Sequence, residues 1–484
     1  MSKVELIFDK AQSIPPQYIT LEESLNDFNP SQDQLREELD IPNLSELEVI
    51  RHYTNLSRNN FGVDNGFYPL GSCTMKYNPK LNERIANIPR FANTHPYVDV
   101  EKSQGNLTVL YELQTLLQGI TGFDQFSLQP AAGAHGELAG LMIMKSYYKE
   151  RGENRRKIIC PDSSHGTNPA SVTMCGFIPV PLKSGPDGLV DIKALKDLLD
   201  DEVAGMMLTN PNTLGLFEKD IEKICQLVHN NGSLMYCDGA NSNALLGQSR
   251  FADMGYDICH LNLHKTFSTP HGGGGPGAGP IGVKAQLVDY LPGPIVKRST
   301  SGYSLYNPLK SIGRMKGFLG NFGILLRAYV YILSQGSDGL KDVTIKAVNN
   351  ANYLRKKLEP VFSLPFKGLC KHEFVIDDSS LPNGVTTMDV AKRLLDYGFH
   401  PPTVYFPLIV HGAMMIEPTE TESKETLDLF AEALLNIYEE AKNTPDLVKT
   451  APHTTSVTRF DEVKAARKPI LCHCDDWLEQ LKES

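Results

Sequence analysis

The chain has 484 residues, 41% hydrophobic and 21% charged, which is ordinary globular usage and long enough for about two or three structural units around a large core. Its 47 basic and 57 acidic residues leave a formal charge of -10, which argues against a general nucleic-acid or anionic-membrane binder. The opening MSKVELIFDKAQSIPP has acids and prolines where a secretory signal needs an apolar run, and the nine cysteines are scattered, so a reducing cytoplasm is expected.

Residues 1–100 mix short helical patches such as LEESLNDF (21–28) with the Gly/Pro-punctuated NGFYPLGSCTMKYNPK (65–80), a pattern that predicts an N-terminal arm. NLTVLYELQTLLQGITG (106–122) then has helical spacing, and 133–150 reads as a helix entered through a Gly/Ala turn. The apolar runs KIICP, AGMMLTNP, SLMYCDGA and DICHLNLH alternate with helical stretches, which predicts crossover units and a mainly parallel sheet. Ligands of such sheets bind beyond the carboxyl ends of the strands, so the residues following each run are the candidates.

GFLGNFGILLRAYVYILSQG (317–336) is apolar over about the length of a bilayer crossing, but Arg327 near its centre and the lack of a second span predict a buried helix and no membrane. VTIKAVNNANYLRKKLEPVF, MDVAKRLLDYG and SKETLDLFAEALLNIYEEAKN carry helical spacing, and HEFVID reads as a strand. The expected division is an arm over 1–100, a large domain over 101–338, a smaller α+β domain over 339–448 and a tail over 449–484.

The formal G-x-G-x-x-G at Gly277, Gly279 and Gly282 runs into Pro280 and a predicted strand, whereas a dinucleotide fingerprint opens a helix; no Gly-Lys-Ser/Thr makes a P-loop either. Lys265 is more informative, because it follows an apolar run at a predicted strand end, where partial desolvation favours the neutral, attacking amine. Asp238 ends an earlier run. A carboxylate to keep a ring nitrogen protonated and a lysine to bind an aldehyde are what pyridoxal phosphate requires, with small Ala240 leaving room for a flat ring. Gly133, Ala134 and His135 open a helix whose N–H groups suit a phosphate. His165, just beyond KIICP, is placed to stack on the ring.

Taken alone, each of these residues has a plainer reading: a solvated lysine, a helix-capping aspartate, an ordinary helix start, a loop histidine. CHCD (472–475) lacks the second pair of a zinc site, so no metal is expected. Cys73 reads equally as reactive or packed, Met414 and Met415 as core, and Glu417, Glu420 and Glu422 as solvated or helix-capping.

The order of turn, histidine, aspartate and lysine resembles fold-type I pyridoxal-phosphate enzymes, α/β transferases with a mainly parallel large-domain sheet and a smaller C-terminal α+β domain. The stretches YPLGSCTMKYNP, QPAAGAHGELAG, DSSHGTNPAS, TNPNTLGLFE, DGANSNAL, HLNLHKTFSTPHGGGGPGAGPIGV and MMIEPTETESKETLD resemble the glycine cleavage system P-protein family. Some P-proteins are single chains about twice this size and others are split in two; this length, with the lysine present, resembles the second, catalytic subunit. The resemblance implies pyridoxal 5'-phosphate as cofactor, Lys265 as its attachment point, Asp238 at the pyridinium nitrogen, His165 stacked on the ring and His264 near the phosphate.

The reaction implied is decarboxylation of glycine with transfer of the aminomethyl group to the lipoyl arm of the H-protein, and the partner implied is P-protein subunit 1 in a heterotetramer of two of each. The chain has AAGAH where members often carry a serine and a glutamine, which implies a backbone phosphate contact at Ala134 and His135. A cysteine desulfurase or another amino-acid decarboxylase would share the residue order without the YPLGSCTMKYNP wording, and a noncatalytic scaffold would not need Lys265.

Overall fold

The computed structural model describes residues 6–10, 31–34, 42, 44–271 and 276–469. The LEESLNDF patch, most of the glycine run and the CHCD motif lie outside the described residues. The chain divides into two units, Phe67–Thr450 and Met1–Gly66 with Ala451–Ser484. In the second of these, helix α1 (Glu46–Ser57) starts at a capping box in which Ser45 and Glu48 exchange hydrogen bonds.

Within Phe67–Thr450, seven strands form one sheet: β1 (Gln125–Ser127), β2 (Lys157–Pro161), β3 (Ile178–Leu182), β4 (Val203–Thr209), β5 (Leu234–Gly239), β6 (Ile258–Leu261) and β7 (Ile281–Val283). Their order is β1-β7-β6-β5-β4-β2-β3; β3, β2, β4, β5 and β6 run parallel, and β7 is antiparallel to both its neighbours. The helices of this unit are α2 (Lys80–Ala86), α3 (Pro89–Ala92), α4 (Gln104–Thr121), α5 (Gly133–Glu150), α6 (Thr167–Met174), α7 (Ile192–Leu198), α8 (Ile221–Asn230), α9 (Phe322–Leu358), α10 (Thr387–Asp396), α11 (Lys424–Asn443) and α12 (Pro445–Lys449).

Every residue of β4 is buried because both faces of the sheet are covered. Met206, Leu208, Met235, Cys237, Cys259 and Leu261 pack with α4, α8 and α9, while Met207, Tyr236 and Ile258 pack with α5. This alternation is the strand's two-residue period at work, and each fully buried Leu or Met adds about 1.5–3 kcal/mol of apolar burial. Close approach of α5 requires glycine: a Cβ on Gly136 would stand 2.7 Å from His260 Cβ.

A hairpin, β8 (Ile295–Ser299) and β9 (Gly302–Tyr306), precedes α9. The apolar stretch expected to be a buried helix forms the first part of α9, which breaks at Gly336 (φ 63°, ψ -174°) before continuing into the helical stretch expected over 343–362, of which it covers the residues up to Leu358. Among the described residues no helix is long and apolar enough to cross a membrane. A three-stranded antiparallel sheet, β10 (Phe374–Ile376), β12 (Met414–Ile416) and β11 (Thr403–Val404), packs its own core with α9, α10 and α11.

The segment from Phe67 onward, within the expected arm, is packed: Phe67 lies on Phe430, Leu70 bridges to Ile416, and Thr74 and Lys76 are buried. One sequence expectation changes. Glu417 and Glu420 do not face solvent or cap a helix. Glu417 is buried, Glu420 pairs with buried Lys76 at 2.7 Å, and Ser423 caps α11.

Candidate active site

A cavity of about 450 Å³ opens beyond the carboxyl ends of β4, β5 and β6, where a parallel sheet presents its loops. Its lining brings together Gly133, Ala134, His165, Asp238, Ala240, His264 and Lys265, which are far apart in the chain. His135 does not line it; its Nδ1 accepts the Ala131 N–H at 3.2 Å and so tightens the turn. Arg314 does not line it either, and donates to the Phe318 carbonyl at 3.1 Å.

Asp238 is nearly sealed, yet well supplied with donors. Asn168 Nδ2 reaches Oδ2 at 3.0 Å, the Ala240 N–H reaches Oδ1 at 3.0 Å, and His260 Nε2 lies 3.2 Å from Oδ1. Burial works against its charge, but His260, Asn168, Lys265 and the Ala240 amide together hold the carboxyl below the usual carboxylate range. His260 is in turn anchored through Nδ1, 2.7 Å from the Tyr236 hydroxyl. Sequence reasoning missed His260, although the β5–β6 register sets it directly opposite Asp238.

Lys265 Nζ donates to the Ser72 carbonyl at 2.7 Å. Ser72 lies in the left-handed region (φ 60°) inside the GSCTMK segment, which the sequence reading left without a role in the site. His165 Nδ1 meets Thr167 Oγ1 at 2.9 Å, and that hydroxyl donates to Glu137 Oε1 at 2.7 Å. Burial, reinforced by the Lys265 charge, lowers the His165 pKa and keeps the ring neutral. The same causes push His264 down to about 3.

α5 begins without a side-chain cap, so its first N–H groups stay open at the cavity beside Ala132, Gly133 and Ala134. A Cβ on Gly133 would stand 2.5 Å from Asn262 Oδ1, so a larger residue there would have to displace the Asn262 side chain that lines the cavity. Thr209 Oγ1, Asn262 Oδ1 and His264 Nδ1 are buried lining atoms without a hydrogen-bond partner among the described residues. A flat, phosphorylated, aldehyde-bearing cofactor fits this donor set: an anion site at a helix start, a carboxylate, an amine and unsatisfied polar atoms around them.

Residues 12–303 match the family described as glycine cleavage system P-protein, and residues 343–456 match the glycine dehydrogenase C-terminal domain. A probable glycine dehydrogenase (decarboxylating) subunit 2 of Kosmotoga olearia is 57% identical over 96% of this chain and 98% of its own length. The chain belongs to the glycine cleavage system P-protein family. A crystal structure of glycine decarboxylase (P-protein) in inhibitor-bound form shares the P-protein fold at TM-score 0.71, with 22% identity over 86% of this chain and 95% of that one. A cysteine desulfurase of Escherichia coli shares the fold-type I architecture at TM-score 0.60 and 16% identity, covering 78% of this chain and 95% of that one. For this P-protein, then, the fold is that of fold-type I pyridoxal-phosphate enzymes, and family membership separates it from the desulfurases that share the fold.

Proposed function

We propose that this chain is the pyridoxal-phosphate-binding, catalytic subunit of a two-subunit glycine decarboxylase, releasing CO2 from glycine and passing the aminomethyl group to the lipoyl arm of an H-protein. The observation that carries the reading is the convergence of Lys265, Asp238, His165 and the α5 turn on one cavity in a P-protein family chain. When bound, pyridoxal phosphate supplies the electron sink for the pair left on glycine's α-carbon as the carboxylate departs.

Lys265 Nζ would be the cofactor's attachment point. Asp238, held ionised by Asn168, His260 and the Ala240 amide, keeps a proton on the ring nitrogen. Neutral His165, fixed by Thr167 and Glu137, offers a ring face for stacking. The α5 amides near Gly133 and Ala134, with His264, hold the phosphate, and Ala240 leaves space beside the ring. His135 acts through the turn instead of by direct contact.

The relatives' designation as subunit 2 supports a partner subunit 1; we take the complex as a cytoplasmic heterotetramer of two of each, with the scattered cysteines in favour of a reducing compartment. The break at Gly336 supports a division between a cofactor domain, 101–338, and a C-terminal domain, 339–448. Glycine-dependent exchange of carboxyl carbon with bicarbonate, measured with subunit 1 and H-protein present, tests the function. Exchange is expected, and its absence from a cofactor-loaded complex would overturn the reading. Borohydride reduction and peptide mapping should find the cofactor on Lys265.

A further inference from the structure

Next to the cavity, on the three-stranded sheet, two carboxyls meet in a sealed space. Glu373 precedes β10 and Glu417 follows β12; Phe374 pairs with Ile416, so the register brings the two together. Both are at most 1% exposed. His372 Nε2 stands 3.8 Å from Glu373 Oε1 and 3.9 Å from Glu417 Oε1, beyond hydrogen-bond range, and neither ring nitrogen has a hydrogen-bond partner among the described residues. A carboxylate oxygen of Glu373 and one of Glu417 lie within 4.8 Å of each other, and two buried carboxyls that close do not both ionise without cations to match.

Their donors are unequal. Glu373 accepts the Ser72 N–H at 2.8 Å and Asn241 Nδ2 at 3.4 Å, whereas Glu417 accepts the Thr74 hydroxyl on Oε1 and has an unpartnered Oε2, the natural seat for a proton. Ser72 faces both ways across its own backbone: its N–H meets Glu373 and its carbonyl takes Lys265 Nζ at 2.7 Å. We propose that Glu373 and Glu417 form a one-proton pair, Glu417 carrying the proton and Glu373 the charge, that positions Lys265 through Ser72 and balances its ammonium whenever the amine is free of cofactor.

The electrostatics agree. Burial pushes Glu373 up to about 7 against the pull of the Ser72 amide and Lys265. It pushes Glu417 well above the carboxylate range, with Glu373 adding to the rise and Thr74 and Lys265 opposing it. The pair is also faced by His372, which burial holds neutral at about 3, by Glu420 and by Cys73. Lys265 is faced besides by Asp238, His165, His264 and His271. Glu373 and Glu417 are therefore positioning residues, acting through Ser72.

The inference rests on Lys265 being the attachment point, which borohydride mapping tests separately. Its own test reads Lys265 in the full chain stripped of cofactor, by the pH dependence of amine labelling at that residue, and so does not depend on which amino acid is the substrate. Glu373→Gln removes the charge, so the ammonium should lose its proton more easily and Lys265 should label about tenfold faster at a fixed pH below its midpoint. Glu417→Gln replaces a protonated acid by a neutral amide and should stay within about threefold of the parent. Equal effects from both variants, or none from Glu373→Gln, would overturn the pairing.

Infrared spectra of the parent protein at about pH 8 should show a protonated carboxyl. That band should vanish in Glu417→Gln and persist in Glu373→Gln, and its absence from the parent would sink the proposal even if a variant failed to fold. One equivalent of tightly held transition metal per chain would also overturn it, because a cation would then balance both carboxylates.

Discussion

Asp238 and Glu417 are both carboxyls at most 3% exposed, set around the same lysine, yet their charge states are driven in opposite directions. Desolvation is the largest influence on both, so burial does not distinguish them. The donors do: Asp238 has an amide side chain, a backbone N–H and a histidine backed by Tyr236, while Glu417 has one hydroxyl and a second carboxyl as neighbour. A buried acid remains an anion where the fold delivers donors to both of its oxygens, and takes a proton where it does not. In the proposed reading the charged one would serve the cofactor's ring nitrogen, and the neutral one would leave a single charge facing Lys265.

The largest expected effect at this pair of regions comes from the residue between them. Lys265→Ala should lower glycine-dependent exchange by about 10⁴-fold or more and abolish borohydride trapping, as loss of a covalent catalytic group does elsewhere. Exchange retained within tenfold would mean that another amine binds the cofactor. Asp238→Asn keeps the shape and removes the charge. Exchange should fall by about 10²–10³-fold while the visible band of bound cofactor persists; near-parental turnover would transfer the ring-nitrogen role to another group.

Smaller effects appear as stability. Asp238, depressed on folding, contributes stability that is present above its unfolded value and lost as the pH falls through its folded value. Glu417, raised on folding, behaves oppositely: it costs nothing below its unfolded value, and the cost grows as pH rises toward its folded value. Glu417→Gln should therefore gain melting temperature relative to the parent between about pH 5 and pH 8, by about 2–4 °C at the upper end. A gain that shrinks with rising pH would place an anion at Glu417. His135→Ala gives the smallest change. It deletes the bond to the Ala131 N–H, about 1 kcal/mol, and cofactor affinity measured by equilibrium titration should move less than about threefold unless His135 touches the phosphate directly.

Asp238, Lys265, His165 and the Gly133 turn could be read from the chain because each follows a short apolar run or opens a helix, and in a parallel sheet such positions share one edge. The strands β2, β4, β5 and β6 carry their own apolar signal for the same reason, since both faces are covered. His260 was hidden inside an apolar strand and emerges only when β6 is laid in register against β5. Ser72, Glu373 and Glu417 carried no local signal at all.

What the sequence determined by itself was therefore the alternation of strands and helices and the chemical types gathered at the strand ends, both of which depend on local periodicity. What only the tertiary structure decided was the environment of each acid. Glu417 sits in MIEPTE, polar enough to read as solvated, but pairing of Leu70 with Ile416 and of Phe374 with Ile416 folds the GSCTMK segment over it and removes water. Solvation and donor count belong to contacts between distant segments, and these fix whether a carboxyl near Lys265 is a charge or a proton.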